Sequence, residues 1–198
     1  MNWTDITVEQ YQGLHSIMTD KAADEWDKEI ACIAYLTGKN IDSIIDMPYS
    51  EYKELRKGFA FLSEDKIEGQ AKKVIKANGK TYRVQFNLTE LPVARYVEVK
   101  HFAQEDYVKN LHLMMASIVV PDGLPYSHKH HSLYAEDMKK ASIVDVHNTG
   151  VFFCKLYARL IPNIKGYMAQ MMTETGLTPI QAASHVEGLC NAMAGFTI

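Results

Sequence analysis

Apolar residues recur at spacings of three and four over the first third of the chain, which is the pattern of helices with one buried face. Thr7 and Gln10 have the spacing of a capping box, and this predicts a helix from about Val8 to Met18. A second helix should end near Gly38, because glycine readily adopts the left-handed conformation that terminates a helix. Its predicted core stripe is Trp26, Ile30, Ile33 and Ala34.

The segment between residues 71 and 87 has the pattern of a β-hairpin. Its two halves, Lys72–Ala77 and Lys80–Phe86, flank the pair Asn78 and Gly79. An Asn-Gly pair readily adopts the two positive φ values of a type I′ turn, whose twist suits a two-residue hairpin loop. The sequence therefore predicts two short antiparallel strands between helical segments.

The chain partly matches itself when it is shifted by 85 positions. Residues 4–51 align without a gap onto residues 89–136 with eight identical pairs among 48, whereas chance would give roughly three, so two copies of one packing unit are expected. The alternative is an accidental recurrence of heptad-like spacing. If the unit is duplicated, the apolar stripe of the second copy should also be buried in the core. Tyr11 is predicted to be a core residue as well. The expected counterparts are Tyr96, Leu111, Met115 and Ile118.

The predicted fold class is mainly α, with two pseudo-repeated helical units joined by a β-hairpin and followed by a C-terminal helical pair. The first unit covers residues 1–70 and the hairpin connector residues 71–87. The second unit covers residues 88–161, with a helix expected over 142–160, and the helical extension covers residues 162–198.

Composition narrows the range of partners. With 47% hydrophobic residues in 198, the chain can bury a core, and its net charge of −3, with basic and acidic residues interleaved, does not favour binding to nucleic acid. No apolar run approaches the roughly 18 residues that a membrane span needs, so no membrane association is expected. Cys32, Cys154 and Cys190 are odd in number and far apart, which predicts buried free thiols and no disulfide.

Three histidines in one loop, His128, His130 and His131, are weak candidates for a zinc site. Such sites usually recruit a carboxylate or thiol as well, and only the more distant Glu136 and Asp137 are near in sequence. The alternative, which the sequence favours, is a solvated loop that changes charge between about pH 5 and 7. Neither a metal nor another cofactor is therefore expected.

The chain carries none of the familiar catalytic motifs, such as a glycine-rich phosphate loop, a nucleophile elbow or a metalloprotease helix motif. Carboxylates are frequent over residues 20–29 and 64–68, but they alternate with lysines as on a solvent-facing helix. His112 and His147 stand beside apolar positions and are expected to be hydrogen-bonded core histidines. The sequence predicts a protein that is not an enzyme.

Methionines offer a second kind of candidate surface. Met168, Met171 and Met172 lie at helical spacing in the C-terminal extension, and flexible methionine side chains suit a surface that adapts to varied partners. These three residues are the predicted protein-binding site. The adjacent pair Met114 and Met115 has the same potential, although ordinary core packing is the alternative for all of them.

Five segments together resemble small proteins encoded in the tail-morphogenesis region of tailed phages. They are Trp3–Tyr11, Tyr35–Lys39, Met47–Tyr52, Asn78–Arg83 and the pair Phe152 and Phe153. These proteins are similar to tail assembly chaperones, helical proteins that bind the tape measure protein and keep it soluble while the tail tube forms. The resemblance implies a protein without catalytic residues that binds other phage tail or virion proteins. A homo-oligomer is also expected, located in the host cytoplasm or, as an alternative, in the virion.

Two other classes share the composition. One is a virion structural component, such as a connector, neck or ring subunit, which would remain in the finished particle. The other is a cellular adaptor that uses paired helical repeats as a groove for peptides.

Overall fold

The computed structural model describes residues 1–64, 66–87 and 90–156 of the chain. These residues confirm the mainly helical class and contain one small antiparallel sheet. The helices before the sheet are α1 (Val8–Met18), α2 (Glu25–Thr37), α3 (Ile41–Ile45) and α4 (Tyr49–Lys57). The helices after the hairpin are α5 (Val93–Glu105), α6 (Tyr107–Ile118), α7 (His131–Lys139) and α8 (residues 143–156).

The local signals for helix ends are confirmed. At the start of α1, Thr7 Oγ1 accepts a hydrogen bond from the Gln10 amide at 3.2 Å, and Gln10 Oε1 accepts one from the Thr7 amide at 2.9 Å. Gly38 follows α2 with a φ of 66°, the left-handed conformation that an L side chain disfavours. The capping box satisfies amides that a helix start leaves unpaired, and Gly38 allows the chain to turn away from the end of α2.

The predicted hairpin is confirmed and gains a third strand. Strands β1 (Val74–Ala77) and β2 (Lys80–Val84) pair across a turn in which Asn78 has φ 49° and Gly79 has φ 72°. Strand β3 (Val119–Pro121) then pairs antiparallel with β2. No strand was predicted at β3, because a three-residue strand is too short to show a period of two. Its valines directly follow α6 and pair with β2, and Pro121 is tolerated because β3 is an edge strand.

Helix α6 forms the centre of the core and packs against α1, α5 and α7. Its largest fully buried side chains are Leu111, Met114, Met115 and Ile118. Met114 and Met115 therefore serve as core packing, which was the alternative to an adaptable surface. The predicted burial of Tyr11, Ile30 and Ile33 is confirmed as well, while the side chain of Tyr96 lies outside the described residues.

The N-terminal segment joins the two halves of the chain. The Val8 amide donates to the Ala141 carbonyl at 3.0 Å, and the Ile143 amide donates to the Ile6 carbonyl at 2.9 Å. These bonds fasten the start of α1 to the corner between α7 and α8. Helix α1 thereby contacts elements from both predicted units.

Helix order is similar in the two halves, and the duplication itself stays a prediction. Helices α1 and α5 begin at the aligned pair Val8 and Val93. The halves differ elsewhere, since a 3-10 turn over His128–His130 stands near the position that corresponds to α3, and β3 has no counterpart in the first half. The predicted helical extension over 162–198 lies outside the described residues.

Trp26 is the one described member of the core stripes that was predicted wrongly, because its side chain is 50% exposed. It lies one turn before Ile30 and on the same face of α2, but in the first turn of that helix. Helical spacing specifies a common face and not how far along the helix the packing partner extends. The Trp26 ring instead packs against Tyr52 of α4, with ring centroids 5.3 Å apart.

Candidate functional site

The candidate site is a cavity of about 550 Å³ between α2 and α4, here called the α2–α4 cleft. This volume lies in the range of about 300–1,000 Å³ that is usual for binding pockets. The apolar floor of the cleft is formed by Met18, Cys32, Ile33, Phe59 and Leu62. Of these, Ile33 is completely buried and Phe59 is nearly so.

The ends of α2 and α4 explain why the cleft forms. Asp24 caps α2 by accepting a hydrogen bond from the Asp27 amide at 2.8 Å, and Pro48 precedes the first residue of α4. Helix α4 ends at Gly58, after which Phe59 and Phe61 turn their rings into the core. The segment after α4 therefore forms the floor beneath the two helices. The space between the charged side chains of α2 and α4 stays open.

A carboxylate between the helices holds the cleft together. Glu29 of α2 accepts a hydrogen bond from the Tyr52 hydroxyl at 2.9 Å and forms an ion pair with Arg56, both on α4. Burial and the bond to Glu29 raise the pKa of Tyr52 to about 12, so this phenol remains a hydrogen-bond donor at neutral pH. Glu29 therefore fixes the separation of α2 and α4.

The charged side chains around the cleft are mainly cationic. Four cations, the cationic rim, line it beside only two acids, Glu25 and Glu29, although the whole chain carries a net charge of −3. The rim consists of Lys28, Lys53, Arg56 and Lys57. Both lining acids are already paired, Glu25 with Lys28 at 2.9 Å and Glu29 with Arg56. Lys53 makes no ion pair within the described part of the chain.

Cys32 contributes apolar surface to the floor of the cleft and does not provide a reactive thiol. Its side chain is buried, and burial together with the nearby Glu29 charge raises the pKa of the thiol to about 11. The nucleophilic thiolate is therefore scarce at neutral pH. The expectation of a buried free thiol is confirmed for Cys32, and Cys154 is buried as expected, while Cys190 lies outside the described residues.

A group of three rings, the aromatic patch, adjoins the cleft. Trp26 and Tyr49 are exposed, the latter to 71%, and both pack against the buried ring of Tyr52, whose centroid lies 6.5 Å from that of Tyr49. Exposed aromatic residues next to a cavity are common among the residues that dominate binding energy in protein interfaces. The aromatic patch and the cleft together form one continuous candidate surface on α2 and α4.

The histidines of the loop before α7 do not converge. The His131 Nε2 atom lies 2.9 Å from Ser117 Oγ, and its ring stacks on Phe102. His130 is exposed and contacts the ring of Tyr134, whereas the side chain of His128 lies outside the described residues. Among the described side chains, no group of three histidine, cysteine, aspartate or glutamate residues is placed to hold a metal ion. His131 is also not the solvated residue that the sequence favoured.

Ser117, His131 and Glu98 form a cluster that superficially resembles a hydrolase site. The Ser117 hydroxyl donates to Glu98 at 3.1 Å and contacts His131, but Ser117 is completely buried. Moreover, Glu98 approaches the same His131 nitrogen that contacts the serine, at 4.0 Å, instead of orienting the ring from its other side. This geometry favours a structural role that joins α5, α6 and α7.

Two buried charged residues were not foreseen. Arg95 donates to the carbonyl oxygens of Ser117 and Val119, the latter at 3.0 Å, and lies 3.9 Å above the ring of Tyr126. Asp137 accepts hydrogen bonds from three residues of the hairpin. Both are surrounded by residues distant in sequence, so no local pattern could have revealed them.

The two core histidines differ. His112 Nδ1 lies 3.0 Å from the Gln12 side-chain nitrogen, which confirms the expected hydrogen bond. His147 packs edge-on against Tyr107, and its Nδ1 atom has no hydrogen-bond partner among the described residues. Burial lowers the pKa of both imidazoles, which favours their neutral forms at pH 7.

The predicted protein-binding site consists of three C-terminal methionines. Met168, Met171 and Met172 lie outside the described residues, so their role stays a prediction. Within the residues that are described, no helix is both long and apolar enough to cross a membrane.

Comparison of the chain with models of known families, with curated proteins and with solved structures finds no match.

Proposed function

We propose that this protein acts by binding another protein through the α2–α4 cleft and the aromatic patch, as a tail assembly chaperone for the tape measure protein or another tail component. The observation that supports this most is the combination of an apolar floor, a cationic rim and exposed rings on one surface. Such a surface offers hydrophobic area for affinity and charges for specificity. The resemblance of five sequence segments to phage tail-morphogenesis proteins supplies the choice of client.

A chaperone role suits the chemistry of the cleft. A long client that is insoluble before assembly exposes apolar segments, and a partner that covers them keeps the client in solution. The cleft offers apolar and charged side chains for binding, and Cys32, the thiol that lines it, is protonated at neutral pH. Binding and release, without bond making, are the proposed activity.

Co-expression with the tape measure protein of the same phage tests the proposal. Ala60 lines the cleft and is exposed, so Ala60→Trp should fill the cavity without disturbing the core. We expect this variant to reduce the soluble fraction of the tape measure protein several-fold. The matched control is Ala94→Trp, at an exposed position of α5. Equal solubility with wild type and Ala60→Trp would contradict the proposal.

Mass spectrometry of purified virions separates the chaperone from a virion structural component. A chaperone leaves before the particle is complete, so peptides of this chain should be absent from infectious particles or present far below one copy per ring. Stoichiometric recovery would favour a connector, neck or ring subunit instead.

A further inference from the structure

We infer that the segment bound in the α2–α4 cleft is an acidic amphipathic helix, contributed by the partner protein. This inference rests on the proposed function and adds the chemical class of the bound segment. It commits to a helix with one apolar stripe flanked by aspartate or glutamate residues. The arguments come from the volume of the cleft, its charges and the helices that form its walls.

The apolar part of the ligand follows from the floor. A cavity of about 550 Å³ between Met18, Ile33 and Phe59 accommodates several aliphatic side chains, more than a single inserted residue would fill. Apolar side chains at positions i, i+3, i+4 and i+7 of a helix project from one face and enter such a groove together. Filling it removes apolar surface from water at about 25 cal/mol per Å².

The acidic part follows from how the lining charges are paired. The carboxylates of Glu25 and Glu29 are already neutralised by Lys28 and Arg56. Lys53 has no ion pair in the part of the chain that is described, and Lys57 pairs only with Glu54, which does not line the cleft. The Lys57 side chain is also 63% exposed, so an incoming carboxylate can reach it. A basic ligand would meet like charges at both lysines.

A helical ligand fits the walls better than an extended one. The walls are the helices α2 and α4, whose backbone amides and carbonyls are used within the helices themselves. A ligand strand would find no open sheet edge here to extend, because β-strand addition depends on free backbone groups. The three described strands belong to the separate sheet of β1, β2 and β3.

Trp26 provides the measurement. The chain has two tryptophans, of which Trp3 is buried at 5% exposure and Trp26 is half exposed beside Tyr52. A ligand in the cleft should therefore shift the fluorescence of Trp26 and leave that of Trp3 almost unchanged. The variant Trp26→Phe, which should lose the signal, identifies the source.

The test uses three synthetic helical peptides of about four turns that share one leucine stripe and differ in their flanking residues. One carries glutamates, one glutamines and one lysines. We expect the glutamate peptide to bind about tenfold more tightly than the glutamine peptide and the lysine peptide to bind most weakly, with the differences reduced by salt.

Charge reversal on the protein completes the test. The double variant Lys53→Glu and Lys57→Glu should lose about tenfold in affinity for the glutamate peptide and gain affinity for the lysine peptide. The matched control reverses Lys73 and Lys76, two exposed lysines of the hairpin region, and should bind as wild type. Circular dichroism of each variant verifies that the helices are retained.

The outcomes distinguish this inference from the proposed function. If all three peptides bind equally and Ala60→Trp abolishes their binding, the acidic preference is overturned and a protein-binding cleft remains. If no peptide binds, but the reversal of Lys53 and Lys57 reduces the oligomer size, a second copy occupies the cleft and the inference is overturned. If Ala60→Trp changes neither peptide binding nor client solubility, both the inference and the proposed function fail.

Discussion

The side chain of Asn78, at the tip of the hairpin, donates a hydrogen bond from Nδ2 to Oδ1 of Asp137 on α7 at 2.7 Å. Asp137 also accepts hydrogen bonds from Lys80 and Tyr82, so one buried carboxylate of α7 joins three hairpin residues that lie 55 to 59 positions before it in the sequence. Asn78 thus has two functions, because its positive φ forms the turn and its amide fixes where the turn lies.

Replacing Asp137 with alanine should destabilise the protein by about 2–4 kcal/mol, because the amide of Asn78 and the buried hydroxyl of Tyr82 lose their acceptor. Urea unfolding measures the loss. The control is Asp122→Ala, which removes an exposed ion pair with Arg83 and should cost under about 1 kcal/mol. Similar losses for the two variants would contradict the structural role of Asp137.

The same carboxylate should make the free energy of unfolding depend on pH in the acidic range. Burial alone would raise the pKa of Asp137, but the hydrogen bonds from Lys80, Tyr82 and Asn78 outweigh burial and lower its pKa below the ordinary value. In the unfolded chain, the aspartate carboxyl group has a pKa of about 3.9. The contribution of Asp137 is therefore complete above that pH and is lost as the pH falls through the lower folded-state pKa.

Unfolding free energies between pH 6 and pH 2 check this dependence. Wild type should lose more stability on acidification than Asp137→Asn, which has no carboxyl to protonate. Parallel curves for the two proteins would show that other groups control the acid response.

His147 should produce a second pH dependence at a higher pH. Burial lowers the pKa of His147 below its ordinary value, so between the two pKa values the unfolded chain binds the proton and the folded chain does not. The unfolding free energy is therefore greatest above about pH 6.5 and falls as the pH decreases below it. We expect His147→Gln to flatten the curve between about pH 7 and 5.

Comparison with single replacements of His15 and His112 is needed, because burial lowers the pKa of both these residues as well. Each replacement should remove part of the slope. A curve that is unchanged in His147→Gln would mean that its imidazole titrates in the folded protein as it does in the unfolded chain.

Truncating buried isoleucines of the core stripes should show how much each contributes to the free energy of unfolding. Ile33 and Ile118 are completely buried, so Ile33→Ala and Ile118→Ala should each cost about 2–5 kcal/mol. Ile45 is 59% exposed and offers the same substitution as a control, with an expected effect within about 0.5 kcal/mol. Losses under about 1 kcal/mol at both buried sites would show that the core was misassigned.

The methionines of the C-terminal extension remain a separate prediction. Replacing Met168, Met171 and Met172 together with glutamate should weaken client binding or self-association while α1–α8 stay folded, since burying such charges in an interface is strongly unfavourable. Gel filtration and client pull-down measure the effect, with circular dichroism to report folding. A triple variant that unfolds would place the three residues in a core, and one that behaves as wild type would show that they are not a binding surface.

The sequence alone determined the features that depend on neighbouring residues. The Thr7 and Gln10 capping box, the left-handed Gly38 and the Asn78 and Gly79 turn are all observed where they were predicted. Each results from hydrogen bonds or backbone angles within a few positions, so the residues themselves contain the required information. Helical spacing likewise placed Ile33, Leu111 and Ile118 in the core.

Only the tertiary structure decided which apolar and charged residues meet. The exposure of Trp26 depends on where the packing against α2 ends, and strand β3 depends on a free edge of β2. The carboxylates and lysines over residues 20–29, which include the start of α2, were interpreted from the sequence as a solvent-facing surface. The cleft exists because Glu29 and Arg56 join two helices over a floor that Phe59 and Leu62 close, and the relative position of two helices is set by side chains that are distant in sequence.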